Sequence, residues 1–121
     1  LDHAVAAFLE DVESRGLSDE ILLVITSEMG RTPKKDKGGG SGHWGNLAPL
    51  VLAGGGLQMG QVIGRSDRIG GNPSSSPYTP EHLMATVLQT LFDVSETRLR
   101  TDLPAELSQL ITDGNPIREL F

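Results

Sequence analysis

Apolar residues recur at helical spacing at the start of the chain and then gather into a short unbroken run. The first set is spaced three or four residues apart and precedes Gly16, a common helix-ending residue: Leu1, Val5, Phe8, Leu9 and Val12. Residues 21–26, ILLVIT, form a continuous β-branched run that is typical of a strand buried on both faces of a parallel sheet. A helix followed directly by such a strand predicts an α/β fold.

The rest of the apolar pattern predicts two further strands and two helices. Residues 47–54, LAPLVLAG, read as a second buried strand, and residues 60–64, GQVIG, as a third and weaker one. Thr79 and Pro80 form a helix start signal, and residues 105–111 predict a short final helix. The apolar face of the helix that starts at Pro80 consists of Leu83, Val87, Leu88 and Leu91.

These elements are too few to cover a parallel sheet. A strand as apolar as residues 21–26 needs cover on both faces, and the pattern predicts only two sizeable helices. The chain also begins inside a helical pattern. We therefore expect residues 1–121 to be the C-terminal portion of one α/β domain whose N-terminal part is missing.

Composition narrows the range of partners. Ten Lys and Arg stand against sixteen Asp and Glu, so the formal net charge is −6. This balance argues against nucleic acid or an anionic membrane as the main partner. Cysteine is absent, which excludes disulfides and thiolate metal sites. No apolar run approaches the length of a membrane span, and no signal peptide is visible.

The loop at residues 27–45 brings a carboxylate, an arginine, several lysines and a histidine into one short segment. It begins with Glu28 directly after a predicted strand, continues through Arg31 and ends near His43. Three lysines lie between them: Lys34, Lys35 and Lys37. A carboxylate and an imidazole that converge can hold a divalent metal. The planar guanidinium group of an arginine can donate two hydrogen bonds to an oxyanion. The sequence thus predicts Glu28 and His43 as metal ligands and Arg31 as a substrate-binding residue.

Other interpretations of this loop stay open. It can be a solvated basic loop with an incidental histidine, and Trp44 can serve as a substrate platform or as a packing anchor for the glycines. Nucleotide-binding motifs do not fit, because His43 and Met59 occupy the last glycine position of the two glycine-rich stretches. A serine hydrolase motif of the G-x-S-x-G type is also absent.

Three stretches of the chain carry a resemblance to a known family: TSEMGRTP, GHWGNLAPLVLAGGGLQMGQVIG and PYTPEHLMATVLQTLFDV. Taken together, and with the DGNPIRELF ending, they resemble a sulfatase-like family of the alkaline phosphatase superfamily, known as domain of unknown function 1501. The resemblance implies the C-terminal portion of a sulfatase-like α/β domain, a mostly parallel sheet flanked by helices, with residues 27–45 as an active-site-type loop. It also implies a longer protein that is exported or periplasmic.

The resemblance also implies a set of functional residues. Glu28 and His43 match metal-ligand positions of the superfamily, whereas Met29 stands where a histidine ligand is usual. The nucleophile is expected upstream of residue 1, and the metal is zinc, manganese or calcium. The implied activity is metal-dependent hydrolysis of a sulfate or phosphate ester, such as that of a sulfated glycan. The alternative is a degenerate, non-catalytic member that binds an anionic glycan or a protein partner.

Overall fold

The computed structural model describes residues 1–121 as four α-helices, four short strands and one 3₁₀ helix. The helices are α1 (Asp2–Ser14), α2 (Pro80–Leu91), α3 (Val94–Leu99) and α4 (Ala105–Asp113). The strands are β1 (Leu22–Thr26), β2 (Gly30–Arg31), β3 (His43–Trp44) and β4 (Leu50–Gly54), and the 3₁₀ helix is Arg118–Leu120. Helices α1, α2 and α4 and strands β1 and β4 confirm the elements predicted at those places. None of the helices combines the length and apolarity needed to cross a membrane.

The prediction of a mostly parallel sheet flanked by helices is wrong. Strand β1 pairs only with β4, and the pairing is antiparallel, with Leu22 opposite Gly54 and Thr26 opposite Leu50. The second sheet, β2 with β3, is antiparallel as well. A parallel pair needs a crossover, usually through a helix, and the chain between β1 and β4 contains none. Residues 22–25 are also only half-buried, so their apolar run does not mark a strand covered on both faces.

The predicted third strand at residues 60–64 is also wrong. This segment forms no strand, and the nearest pairing is an isolated bridge between Ser66 and Pro73. The segment leaves β4 through a turn in which Gly54 has φ of 81°, and a Cβ at that position would collide with the carbonyl oxygen of Ile21. A glycine is therefore required there, because other residues rarely adopt this conformation.

The core lies where the chain end returns to the sheet. Leu57, Ile117 and Leu120 are buried together. Three half-buried residues pack against them: Leu22, Leu52 and Ile63. The backbone N–H of Gln58 donates to the Leu120 carbonyl at 2.8 Å. Only 9 of the 121 residues are buried, so this core is small for a chain of this length.

A buried hydroxyl connects α2 to the chain end. Thr86 is fully buried, and its Oγ1 donates to the carbonyl of His82 at 2.7 Å. The same oxygen accepts the backbone N–H of Ile117 at 2.9 Å. Because Ile117 belongs to the core, this hydrogen bond fixes the segment that lines the cleft described below.

Candidate anion-binding site

The loop at residues 27–45 folds into a β-hairpin. Gly30 lies opposite Trp44 and Arg31 lies opposite His43 in an antiparallel pair. Residues directly opposite each other share a face, with Cβ atoms about 4.5–5.5 Å apart, so Arg31 and His43 are neighbours on one side of the hairpin. A Cβ on Gly30 would collide with the carbonyl oxygen of Leu47. Glycine at this position therefore lets the hairpin lie against the start of the β4 segment.

The tip of the hairpin is organised by Asp36. Its Oδ1 accepts the backbone N–H of Gly38 at 2.9 Å and of Gly40 at 2.8 Å. The two ion pairs of the chain are Arg15 with Asp11 and Arg100 with Asp102. The tip lysines are all exposed and take part in neither: Lys34, Lys35 and Lys37. Their ammonium groups are thus free to meet an anion.

A second loop, residues 65–76, is organised by Asp67. Its carboxylate accepts the backbone N–H groups of Ile69, Gly71 and Asn72 at 3.1, 2.8 and 3.1 Å. These hydrogen bonds, that of Gly71 above all, lower the pKa of Asp67 below its ordinary value of 3.8. The carboxylate is therefore ionised at neutral pH and holds the loop in one conformation.

Arg65 is fixed at the start of this second loop. Its backbone N–H donates to Ser75 Oγ at 2.9 Å, and its carbonyl accepts the N–H of Ser74 at 2.8 Å. Neither of the chain's ion pairs involves Arg65. The backbone of this arginine is thus fixed while its guanidinium group is unpaired.

Two hydrogen bonds join the hairpin to the second loop. The indole N–H of Trp44 donates to the Gly71 carbonyl at 2.6 Å, and the Asn46 amide donates to Asn72 Oδ1 at 2.7 Å. Trp44 is half-buried. The indole therefore ties the hairpin to the second loop, whereas its packing against the hairpin glycines stays a prediction.

An open cleft of about 670 Å³ lies between the hairpin, strand β4, the second loop and the chain end. Its apolar lining includes Leu50, Leu52, Ile63, Ile117 and Leu120. Its polar lining includes Arg31, Asn46, Arg65, Ser66, Ser75 and Ser76. The cleft therefore combines an apolar base, shared with the core, with two arginines and several hydroxyl and amide groups.

Tyr78 lines the same cleft, but its hydroxyl is already engaged. It donates to both carboxylate oxygens of Glu119, at 2.7 and 2.6 Å. This hydrogen bond raises the pKa of Tyr78 above its ordinary value of 10.0 and lowers the pKa of Glu119 below 4.5. At neutral pH Tyr78 is consequently a neutral wall of the cleft that ties the start of α2 to the 3₁₀ helix.

Charge is distributed unevenly between this region and the rest of the chain. Residues 28–75 contain six Lys and Arg but three Asp and Glu, a balance of +3. The remaining residues contain four Lys and Arg and thirteen Asp and Glu, a balance of −9. Two of the three acids in the basic region are Asp36 and Asp67, whose carboxylates accept backbone N–H groups. The hairpin and the second loop, which form two walls of the cleft, are thus the positive part of an acidic chain, and their charge favours anions.

The structure places the three predicted site residues in different surroundings. Arg31 lines the cleft, and its role in substrate binding stays a prediction. His43 is exposed beside it on the hairpin, and Glu28 is exposed on the turn between β1 and β2. No three His, Asp or Glu side chains come together as a possible metal site. Glu28 and His43 therefore do not make a metal centre by themselves, and their role as ligands stays a prediction.

Sequence reasoning missed Arg65 and the serines of the second loop. Residues 65–76 read as an undistinguished polar loop, and only the structure brings Arg65 to the same cleft as Arg31. A usable signal was present in the charge distribution, because Arg65 and Arg68 extend the basic region beyond the hairpin into an otherwise acidic sequence.

The comparisons with known proteins give one result. A protein-family model described as "Protein of unknown function (DUF1501)" matches residues 1–121. No curated protein and no solved structure matches the chain at a significant level.

Proposed function

This chain belongs to the DUF1501 family of proteins of unknown function, and from its cleft we propose that it binds the charged group of a sulfate or phosphate ester. The observation that carries the proposal is the pair Arg31 and Arg65, which line one cleft and take part in neither ion pair of the chain. A guanidinium group presents a planar fork of donors that matches the oxygens of sulfate and phosphate.

The surroundings of the two arginines support anion binding. Ser75 and Ser76 supply hydroxyl donors in the same cleft, whereas the hydroxyl of Ser66 already donates to the Asp67 carbonyl. An apolar base lies beside them in the same cleft, formed by side chains that include Leu50 and Leu52. The organic part of an ester can lie on this base while its charged end meets Arg31 and Arg65.

Hydrolysis of the bound ester is the second part of the proposal and rests on the resemblance to the sulfatase-like superfamily. In this proposal Glu28 and His43 supply two ligands to a divalent metal, with zinc, manganese and calcium as candidates. Both donor types suit such ions, but no three His, Asp or Glu side chains of the chain come together as a metal site. We therefore derive no catalytic step through the metal. Export from the cytoplasm likewise rests on the resemblance alone.

Binding without turnover is a second candidate function. Met29 stands where the superfamily has a histidine ligand, and a thioether is a poor ligand for the metals of hydrolysis. Metal content and ester hydrolysis, measured on the same full-length preparation, distinguish the two candidates. A stoichiometric metal together with hydrolysis supports the enzyme, whereas ester binding with neither supports the binding protein.

The anion site itself is tested by measuring the affinity for inorganic sulfate and phosphate by calorimetry. Arg31→Gln and Arg65→Gln are each expected to raise the Kd roughly tenfold or more, because a charge-assisted hydrogen bond contributes about 1.5–3 kcal/mol. Arg98→Gln is the matched control, because it removes the same charge from an exposed arginine outside the cleft. Equal affinities of all three variants and the unmodified protein would contradict the proposal.

A further inference from the structure

The cationic side chains of the site extend well beyond the cleft. We call Arg31, Lys34, Lys35, Lys37, Arg65 and Arg68 the basic surface, and it holds six of the ten Lys and Arg of the chain. All six are exposed, and none takes part in an ion pair. A single sulfate or phosphate group needs only the two arginines of the cleft. Lys34, Lys35, Lys37 and Arg68 are therefore not needed to bind a small ester.

From this arrangement we propose that the ligand is a linear polyanionic polysaccharide, with one charged unit in the cleft and neighbouring units on the lysines of the hairpin. The inference rests on the proposed function, because it assigns the cleft to one unit of the same ligand. It adds a second contact region at Lys34, Lys35 and Lys37, whose role is to hold the chain on either side of the bound unit.

The geometry of the hairpin supports an extended contact. Hydrogen bonds to Asp36 organise its tip, and Trp44 joins the hairpin to the loop that carries Arg65 and Arg68. Cations from two separate loops are thus held together in one basic surface. Because these hydrogen bonds already order the backbone of both loops, binding costs less entropy than it would for mobile loops, and several weak contacts can add up along one polymer.

The side chains around the cations favour a polysaccharide over a nucleic acid. Single-stranded nucleic acids are usually held by aromatic side chains that stack on the bases. Two aromatic side chains lie in or beside the cleft, and both are already engaged within the protein. Trp44 is half-buried and bound to Gly71, and the ring of Tyr78 packs edge-on against His82 while its hydroxyl donates to Glu119. Uncharged donors and acceptors are abundant instead. Asn46, Ser66, Ser75 and Ser76 line the cleft and can bind the hydroxyl groups of a sugar.

The experiment compares two triple variants that change the net charge equally. The first is Lys34→Gln/Lys35→Gln/Lys37→Gln, and the control is Arg15→Gln/Arg98→Gln/Arg118→Gln, outside the basic surface. The probes are fluorescein-labelled heparin, a labelled oligothymidylate of similar length and inorganic sulfate. Affinities are measured over a series of salt concentrations, and thermal melting by circular dichroism checks that each variant is folded.

The lysine variant is expected to bind heparin about tenfold more weakly or worse, with a shallower dependence on salt, while its affinity for inorganic sulfate falls much less. The control should match the unmodified protein with both probes, and oligothymidylate should bind more weakly than heparin. Heparin binding that survives in the lysine variant, or falls equally in the control, would overturn the inference. Tighter binding of oligothymidylate would assign the basic surface to nucleic acid. Failure of the proposed function is a separate result, in which the unmodified protein does not bind inorganic sulfate.

Discussion

Replacement of Thr86 by valine tests how the chain end is held beneath the cleft. Thr86 is fully buried, and its hydroxyl accepts the N–H of Ile117 while donating to the His82 carbonyl. Valine has nearly the same shape, so Thr86→Val leaves no cavity but removes the acceptor. The N–H of Ile117, which is 3% exposed, then has no partner and little access to water.

The expected loss follows from this orphaned donor. A buried polar group without a partner costs about 1–3 kcal/mol in the free energy of unfolding. For a chain of this size each kcal/mol corresponds to roughly 3–6 °C in Tm. Urea unfolding followed by circular dichroism measures the loss, and the m value should not change, because the surface exposed on unfolding is the same.

Thr90→Val is the matched control on the same helix. The hydroxyl of Thr90 donates only to the carbonyl of Thr86, at 2.8 Å, and accepts no backbone N–H. Its removal leaves no orphaned donor, so we expect a change within about 0.5 kcal/mol. The reasoning is refuted if Thr86→Val and Thr90→Val cost the same, or if amide exchange of Ile117 is no faster in Thr86→Val.

Two further predictions concern the elements that position the cleft. Gly30→Ala should displace the hairpin, because the added methyl collides with the Leu47 carbonyl, and sulfate should bind several-fold more weakly by calorimetry. Gly45→Ala is its control, since nothing lies near the added methyl there, and equal affinities of the two variants would contradict the steric argument. Asp67 should titrate below pH 3.8 in an NMR titration of its carboxyl group. Because its pKa is lowered in the folded state, its contribution to stability is complete above the ordinary value and is lost as the pH falls through the folded pKa. A midpoint at or above 3.8 would show that the N–H of Gly71 does not stabilise the carboxylate.

The sequence predicts those helices and strands whose start or apolar pattern is determined by residues close together in the chain. Thr79 and Pro80 mark the start of α2, and the apolar runs mark β1 and β4. A similar signal for α3 was missed. Asp93 accepts the backbone N–H of Glu96 at 2.7 Å, and an acidic cap followed by glutamate three residues later is a known start pattern.

The pairing of the strands could not be predicted in the same way. An apolar run shows that a segment prefers burial, but it does not show the direction of its partner, which depends on the path of the 23 residues between Thr26 and Leu50. That path contains a hairpin with two residues in each strand, too short to give an alternating pattern. The apolar run therefore predicts a parallel sheet, whereas its residues are half-buried in an antiparallel pair.

The sequence points to only one of the two arginines of the candidate site, because the other reaches the cleft through contacts between distant residues. Arg31 could be named because it lies in a loop with an unusual composition. Arg65 reaches the same cleft only through non-local contacts, chiefly the hydrogen bonds of Trp44 and Asn46 to the second loop. The assignment of Glu28 and His43 to a metal stays a prediction.

The central claim is that Arg31 and Arg65 hold one anion in the cleft. The most direct measurement is a sulfate titration of isotope-labelled protein, followed by NMR on the arginine side-chain Nε–H signals and on the backbone amides. We predict that the Arg31 and Arg65 side chains shift together with the amide of Ser76, along one saturating curve, while the side chain of Arg98 does not move. Saturable shifts that leave Arg31 and Arg65 unchanged, or shifts of equal size in all arginines without saturation, would contradict the account.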